Sequence, residues 1–564
     1  MSDRMPGSTV QPDQCRFPAF PSEYRERWIA SGWWLDKTLH EYFDEVAQDR
    51  PDAPAIVTVD RTVTFGEFKE TSDRLAAGLL DLGVKAGDLV TVQLPNVPEF
   101  CFLQIALSRI GAAIHPMHLV FREREMRSLL SFCETDVAVV AGEVSGFDYA
   151  EAVRSMWGHL PSLRNLVVME GATLGEREVS LTELAERGAS RLERLAELPP
   201  DPDAVFYMNF TSGTEGDPKG FMHTHNSLIS FVKLMMVDPV ASAMPDAVVL
   251  TCSPMTHSFG HAITYYAAIG GLRVVLVNKY RPLDVLQLIQ RERVDFIAGT
   301  PAHLIGVLQH PEFSDYDTSS IKSVMVGGAR SAPEFIEMLE RTWGITPNNS
   351  YGLGENGIHA RTTAADPPEK RRDTVGKLVP GTELRIVDPD DRTRDLASGE
   401  VGEIAFRGPA LFVGYYRQPE LTTRTRDDDG WFYTGDLGFL DEDEYLHFAS
   451  RKSEVVNRGG TKIYPKEIED LLYLHPKVHE VAVVGMPDFR LGERVCAYIV
   501  PEEGETVTLE ELASFLEEHH VTKHKIPERL VLLDELPMTP TGKVRKAALQ
   551  DDVAERVRAE TQAE

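Results

Sequence analysis

Lys219 closes the stretch TSGTEGDPKG, residues 211–220. Hydroxyls, small residues and a lysine are what a polyphosphate loop needs. Backbone N–H groups of a Gly-containing turn converge on phosphate oxygens, and the ammonium adds a cation. The GxxxxGK[ST] spacing of a Walker loop is absent, and Glu215 puts an anion in the middle of the stretch. Alone, the decapeptide also reads as an ordinary polar turn. Four further stretches carry similar chemistry. In YGLGENG (351–357), Glu355 is a carboxylate that can hold magnesium beside phosphates, on glycines that admit close backbone approach. In WFYTGDL (431–437), Asp436 can accept hydrogen bonds from a ribose diol or simply cap a turn. SRKSEVVNRGGTKIYPKEIE (450–469) offers Arg451 and the pair Gly459-Gly460. TPTGKVRK (539–546) offers Lys543, a long cationic arm for a transferring phosphate or an ordinary solvated lysine.

These stretches have to be carried by a large scaffold. The chain has 564 residues, 42% of them hydrophobic, enough for several domains. From 37 to about 370, short β-rich runs alternate with longer helical stretches. VFYMNF (205–210), VVLTC (248–252), RVVLV (273–277), VDFIAG (294–299) and IKSVMV (321–326) are such runs. The alternation predicts an α/β fold with a largely parallel sheet and crossover helices. Residues 374–449 turn to short strands and tight turns, predicting a small β-subdomain, so that 1–449 form one large N-terminal domain. SRKSE (450–454) reads as a hinge, and 455–564 as a small mobile α+β domain. There, Pro465 opens a helix whose Ile468, Leu471 and Leu472 share one face. Residues 1–36, ending in Trp28, Trp33 and Trp34, are expected to lie across the surface of the first domain.

Composition removes several function classes. A net charge of −30, from 88 acids and 58 bases, repels nucleic acid and anionic membrane. The five cysteines (Cys15, Cys101, Cys133, Cys252, Cys496) are scattered, without a CxxC pair, which argues against a disulfide framework and a zinc site. The start MSDRMPGSTVQPDQ shows no apolar signal core, and the apolar stretch 261–278 is interrupted by Gly270, Gly271 and Arg273. A cytoplasmic protein without integral membrane association is expected.

In their order and spacing, the five stretches resemble the adenylate-forming superfamily of acyl-CoA synthetases, luciferases and non-ribosomal adenylation domains. GEIAFRGPALFVGYY (402–416) and SPMTHSFGH (253–261) extend the resemblance over about 37 to 550. VQLPNVPEF, FREREM, MHTHNSL and NRGGTKIYPKEIE are similar to the medium-chain, alicyclic and aryl acid:CoA ligase branch. The resemblance implies two half-reactions: attack of a carboxylate on the α-phosphate of ATP, then, after a large rotation of the C-terminal domain, attack of the CoA thiol on the acyl-adenylate.

It also implies residue roles. Thr211, Ser212, Gly213, Thr214, Glu215, Gly216 and Lys219 form the phosphate loop. Gly327, Gly328, Ala329, Tyr351, Gly352 and Gly354 lie along the nucleotide. Glu355 binds magnesium, Asp436 holds the ribose hydroxyls and Arg451 supports them. Lys543 serves adenylation, while Gly459, Gly460 and Lys462 border the pantetheine path. His257 stands where acyl pocket and thiol tunnel meet, with Gly327, Gly354 and Gly357 in the acyl pocket. The expected substrates are ATP or an acyl-adenylate, CoA and a small carboxylic acid, with Mg.

The sequence departs from the superfamily pattern at Glu215 and at Gly354, where threonines usually serve phosphate oxygens, and more mildly at Ser453. One like-charge contact at Glu215 would cost a few kcal/mol, or about two orders of magnitude in rate. A side chain turned to solvent would cost nothing. The leading expectation is an acid:CoA ligase. One alternative is an enzyme specialised for thioester formation from an acyl-adenylate supplied by an upstream adenylating enzyme. Another loads a carrier protein or forms an amide.

Overall fold

A computed structural model describes residues 22–169, 175–211, 218–236, 246–327, 331, 333–538 and 544–563. The described residues divide into two compact units. The first runs up to Glu383 and takes in Arg407–Phe432; the second holds Leu384–Phe406 and everything described from Tyr433 on.

The first unit is built on two sheets. One has nine strands, with Ser323–Val326, Phe296–Gly299, Val248–Thr251, Arg273–Leu276 and Pro54–Val57 adjacent and mutually parallel. Their residues are nearly all buried, as expected where helices cover both faces of a parallel sheet. The helix Pro282–Glu292 shows the crossover logic: Pro282 starts it without losing a needed donor, and Val285, Leu286 and Ile289 form the buried stripe. The second sheet has eight strands, and its parallel part includes Leu89–Gln93, Ala113–Pro116, Val137–Val140 and Val205–Thr211. All five β-rich runs named from the sequence are strands, VFYMNF in the eight-stranded sheet and the other four in the nine-stranded one.

The second unit contains a four-stranded sheet, ordered Glu383–Val387, Gly402–Arg407, Phe432–Leu440, Leu446–Arg451, in which the end residues Glu383, Arg407 and Phe432 are counted with the first unit. It also contains a five-stranded sheet around the antiparallel pair Val478–Asp488 and Gly492–Pro501. The helix Pro465–Leu472 buries Ile468 and Leu472 on this sheet's core, with Leu471 partly buried beside them.

One local expectation is corrected. The tryptophan-rich segment is not merely surface cover: Trp28 and Trp34 are buried, 4.9 Å apart between ring centroids, and Trp34 Nε1 donates to the Pro409 carbonyl. The indole N–H is thereby satisfied inside an apolar setting. Stretch 261–278 contains a helix, Ile263–Gly270, followed by the strand Arg273–Leu276, and among the described residues no helix is long and apolar enough to cross a membrane.

Candidate functional site

The phosphate-loop stretch joins two antiparallel strands. Val205–Thr211 pairs with Lys219–Thr224, placing Thr211 opposite Lys219. The strand Lys219–Thr224 follows the loop directly, and the helix His225–Met236 comes after it. Lys219 is half-buried at the start of the returning strand. Ser212, Gly213, Thr214, Glu215 and Gly216 lie outside the described residues, as do Gly328, Ala329 and Lys543.

Glu355 sits in the turn between the antiparallel strands Asn348–Leu353 and Gly357–Arg361, which carry Tyr351, Gly352 and Gly357. Its side chain is buried, Oε1 accepts from Tyr415 Oη at 2.9 Å, and its carbonyl accepts from Phe412 N at 2.7 Å. Burial first, and then the Glu355 carboxylate, push the Tyr415 phenol far above its usual range, so it stays a donor. Next to Glu355, the buried Asn356 has neither amide atom hydrogen-bonded. Buried orphan polar atoms are rare and costly. Among the described residues, no group of three or more His, Cys, Asp or Glu forms a metal cage. Magnesium held mainly by phosphate oxygens and water needs only one or two carboxylates. Glu355 therefore fits a magnesium ion that arrives with a nucleotide.

Gly354 explains itself sterically. A Cβ there would lie 2.6 Å from Cζ of Phe221, in the strand Lys219–Thr224, closer than real contacts allow. The space of a side chain at 354 is thus filled by an aromatic ring from the returning strand of the loop. Gly354 also gives its carbonyl to His223 Nε2 at 2.8 Å, and His223 Nδ1 lies 3.0 Å from Ser227 Oγ. Burial lowers His223 to about 4, so the ring is neutral at physiological pH and donates from Nε2.

Beside Gly354 lies a narrow pocket lined by Tyr207, His223, Leu228, Phe231, Val232, Ser258, His261 and Ala262. These side chains pack closely enough to leave no room for a water molecule between them. His261 is lowered to about 3 by burial, so no lining side chain is charged. Gly327 is buried, and a Cβ there would be in ordinary contact with the Phe259 ring at 3.8 Å and the Ser350 carbonyl at 3.9 Å. His257 precedes the short helix Ser258–His261, and its Nδ1 accepts from Phe259 N at 3.3 Å. That makes Nε2 the protonated nitrogen of the neutral ring. The ring stacks on His118, 6.3 Å between centroids; burial lowers His118 to about 4.

In the second unit, Asp436 lies opposite Arg451 across the strands Phe432–Leu440 and Leu446–Arg451. Asp436 is buried, with Oδ1 3.5 Å from Arg451 Nε, while the arginine side chain is half exposed. Its backbone is fixed by Thr434, whose hydroxyl accepts from Asp436 N and donates to the Ile404 carbonyl. A buried acid beside an exposed cation suits a diol that binds from solvent. Gly459 and Gly460 have φ of +60° and +88° between the paired Arg458 and Thr461. Two successive positive φ values in a two-residue hairpin make a type I′ turn, which explains the glycine pair conformationally. A Cβ on Gly460 would meet nothing within 4 Å. Lys462 Nζ is 3.4 Å from Asp390 in an exposed pair.

Of the residues named from sequence, the structure brings Gly354, Glu355 and Gly357 into one turn and Asp436 to Arg451. His257 adjoins the pocket through Ser258. Sequence reading missed Tyr207, His223, Phe221, Ser258 and Tyr415. Each lies in or beside a stretch already singled out. The missing signal was which side of its strand each faces, and strand periodicity alone cannot say which face meets a distant turn.

A family model described as AMP-binding enzyme matches residues 43–416, and one described as AMP-binding enzyme C-terminal domain matches 467–543. The chain is 31% identical over 547 residues to the medium-chain fatty-acid–CoA ligase of Escherichia coli (strain K12), covering 95% of this chain and 94% of the relative. It is 33% identical over 552 residues to a salicylyl-CoA synthase / salicylate adenylyltransferase of Streptomyces sp, covering 95% and 97%. Among solved structures, ATP-bound MatB from Rhodopseudomonas palustris superposes with a TM-score of 0.81 at 26% identity, covering 92% of this chain and 99% of MatB.

Proposed function

The chain belongs to the AMP-binding enzymes and is an adenylate-forming ligase, and on that premise we propose that it is an acid:CoA ligase acting through an acyl-adenylate. The observation that carries the reading is the position of Gly354. It lines the uncharged pocket and directly precedes the buried, Tyr415-held Glu355. An acid whose carboxylate reaches this turn would lie beside the carboxylate proposed to manage phosphate charge.

In the first half-reaction a carboxylate oxygen of the acid bonds to the α-phosphorus of ATP. The bond to the bridging oxygen breaks and pyrophosphate leaves. In the second, the thiolate sulfur of CoA bonds to the acyl carbon and AMP leaves with the electron pair. Magnesium, when bound, would offset phosphate charge. Tyr415 keeps Glu355 oriented by donating to Oε1. Asp436 holds the ribose hydroxyls in both steps, with Arg451 beside it. Thr211, Lys219 and the loop between them receive the phosphates, Tyr351 and Gly327 border the adenine, and Lys543 serves adenylation. Gly459, Gly460 and Lys462 face the pantetheine, with residues 450–454 as the hinge. The uncharged pocket excludes water, which protects the adenylate from hydrolysis.

The test is incubation with ATP, CoA and a panel of small acids, with acyl-CoA and AMP both quantified. Stoichiometric acyl-CoA and AMP are expected. AMP and pyrophosphate without acyl-CoA would replace CoA by another acceptor, such as a carrier protein or an amine.

A second reading, restriction to the thioester-forming half-reaction, is favoured by one observation. The Phe221 ring occupies the place of a side chain at Gly354, so a hydroxyl there is not simply missing but excluded. With Glu215 in the loop, two positions at which the superfamily usually serves phosphate oxygens are altered. An acyl-adenylate carries one phosphate and tolerates this better than ATP does. Supplying synthetic acyl-adenylate with CoA, and separately acid with ATP and CoA, separates the readings. Efficient turnover of the second mixture removes the restricted one.

A further inference from the structure

Among the described residues, Phe489 is the large apolar side chain most open to water. It is 105% exposed, whereas the next in rank, Val120 and Leu474, reach 52%. It stands at the tip of the hairpin formed by Val478–Asp488 and Gly492–Pro501. The tip is well tied. Asp488 Oδ1 accepts from Arg490 N at 2.9 Å and from Leu491 N at 2.8 Å, and Asp488 Oδ2 lies 2.6 Å from Arg494 Nε. The ring is thus held out on a fixed backbone. This tip lies against the type I′ turn at Gly459-Gly460: the Leu491 carbonyl accepts from Gly459 N at 2.7 Å, and Arg458 pairs with Gly492. The two turns form one edge of the second unit. Next to the ring, Arg490 is exposed and makes no ion pair among the described residues, while Arg458 and Arg494 are both held by Glu528.

Resting on the reading of CoA as the acceptor, with its pantetheine arm along Gly459-Gly460, we propose that Phe489 and Arg490 form a subsite for the nucleotide end of CoA. The ring stacks on the adenine, and the guanidinium meets the 3′-phosphate. A base offers a flat face to an aromatic ring, and the pair shields apolar surface that each would otherwise give to water. On a chain of net charge −30, a ligand carrying several phosphates needs a cation that is not already neutralised. Arg490 is such a cation, and its planar guanidinium suits a phosphate. A carrier protein presents its pantetheine without adenine or 3′-phosphate, so these two residues favour free CoA over a carrier as the acceptor.

The test is equilibrium binding of etheno-CoA, whose modified adenine is fluorescent, to the full chain in the presence of AMP. Anisotropy reports binding, and CoA, dephospho-CoA and pantetheine serve as competitors. Phe489→Ala is expected to weaken CoA about five- to twentyfold, and Phe489→Trp to retain it. Pantetheine should compete equally well in all three proteins. Arg490→Gln is expected to weaken CoA about threefold at low salt and less at high salt, and to leave dephospho-CoA, which lacks the 3′-phosphate, unchanged. Both side chains are exposed, so neither change removes core packing. Equal CoA affinity in the unmodified protein and Phe489→Ala overturns the proposal, as does a loss that pantetheine shares, or no binding of etheno-CoA at all. Acyl-CoA formation is measured separately. Acyl-CoA made normally, with binding indifferent to Phe489, defeats this inference alone. No acyl-CoA from any acid, with etheno-CoA binding that depends on Phe489, ends the CoA-ligase reading and leaves the nucleotide subsite standing.

Discussion

In and behind the pocket beside Gly354 in the first unit, the polar side chains are neutral and hydrogen-bonded: Asn209, Tyr207, Ser258, His223 and His261. Around Glu403 in the second unit, the polar groups are ions. Glu403, whose side chain is almost fully buried, holds Arg392 at 3.1 Å and Lys452 at 3.4 Å. Lys546 bridges Glu469 at 2.7 Å and Glu454 at 3.1 Å, and Glu528 lies between Arg458 and Arg494. The difference follows from what each holds. A tightly packed apolar lining leaves no counter-ion for a charge, so its polar groups are neutral. A region that buries several ions needs those charges paired, because an unpaired buried ion costs several kcal/mol.

Acid should break the first arrangement before the second. Burial lowers His40, His118 and His223 to about 4, and His115, His261 and His359 to about 3. All six lie in the first unit. Each is neutral when folded, while its unfolded counterpart takes up a proton near pH 6.5. Stability from these groups is therefore complete above about pH 6.5 and falls as pH drops toward the folded values, by up to about 1.4 kcal/mol per pH unit for each ring. In the second unit burial also lowers His475, but Glu511 beside it pulls the other way. Hydrogen exchange resolved by segment, at pH 7 and pH 5, should show the first unit losing protection first. Equal loss in both units would contradict the comparison.

Two substitutions in the second unit sharpen it kinetically. Lys543→Ala should slow adenylation by about 10²–10³-fold, the range for removing one preorganised charge-stabilising group. It should leave thioester formation from supplied acyl-adenylate near normal. Gly460→Leu should do the reverse. Its Cβ meets nothing, but its φ is strained for any other residue and its edge is proposed for pantetheine. Both half-reactions are measured separately, by pyrophosphate exchange and by acyl-adenylate consumption. Equal damage to both steps in either variant ends the assignment.

The ion pairs themselves are tested with Lys546→Met. Burial pulls this lysine's pKa down, yet Glu469 and Glu454 outweigh it and the net shift is upward. Removing the ammonium strands two carboxylates, and a loss of about 3 kcal/mol is expected in the second unit. Urea unfolding followed by probes in each unit would register it; an unchanged second transition would show that the pairing contributes little.

The smallest effect concerns the first unit's packing. Gly354→Thr should destabilise by about 1–3 kcal/mol through overpacking against Phe221. Adding Phe221→Val should recover most of that. Only the double variant is a fair test of whether a hydroxyl at 354, together with Glu215→Thr, improves turnover of ATP.

Much of this protein was decided by local sequence. The five strand runs, the helix begun by Pro465 and the type I′ turn at Gly459-Gly460 follow from short-range patterns, because apolar periodicity and positive-φ glycines act within a few residues. Glu355, Asp436 and Arg451 were named as candidates because each lies on a short stretch that resembles the superfamily pattern. What only the tertiary structure decided are meetings between residues far apart in the chain. Phe221 fills the space above Gly354, Tyr415 holds Glu355, and Tyr207 meets Ser258. Such contacts depend on strand register and on which face of a sheet a side chain occupies, and a shift of one residue would reverse them. The sequence therefore determined which reactive groups the protein owns, and packing decided which of them are dry, paired and pointed at a ligand.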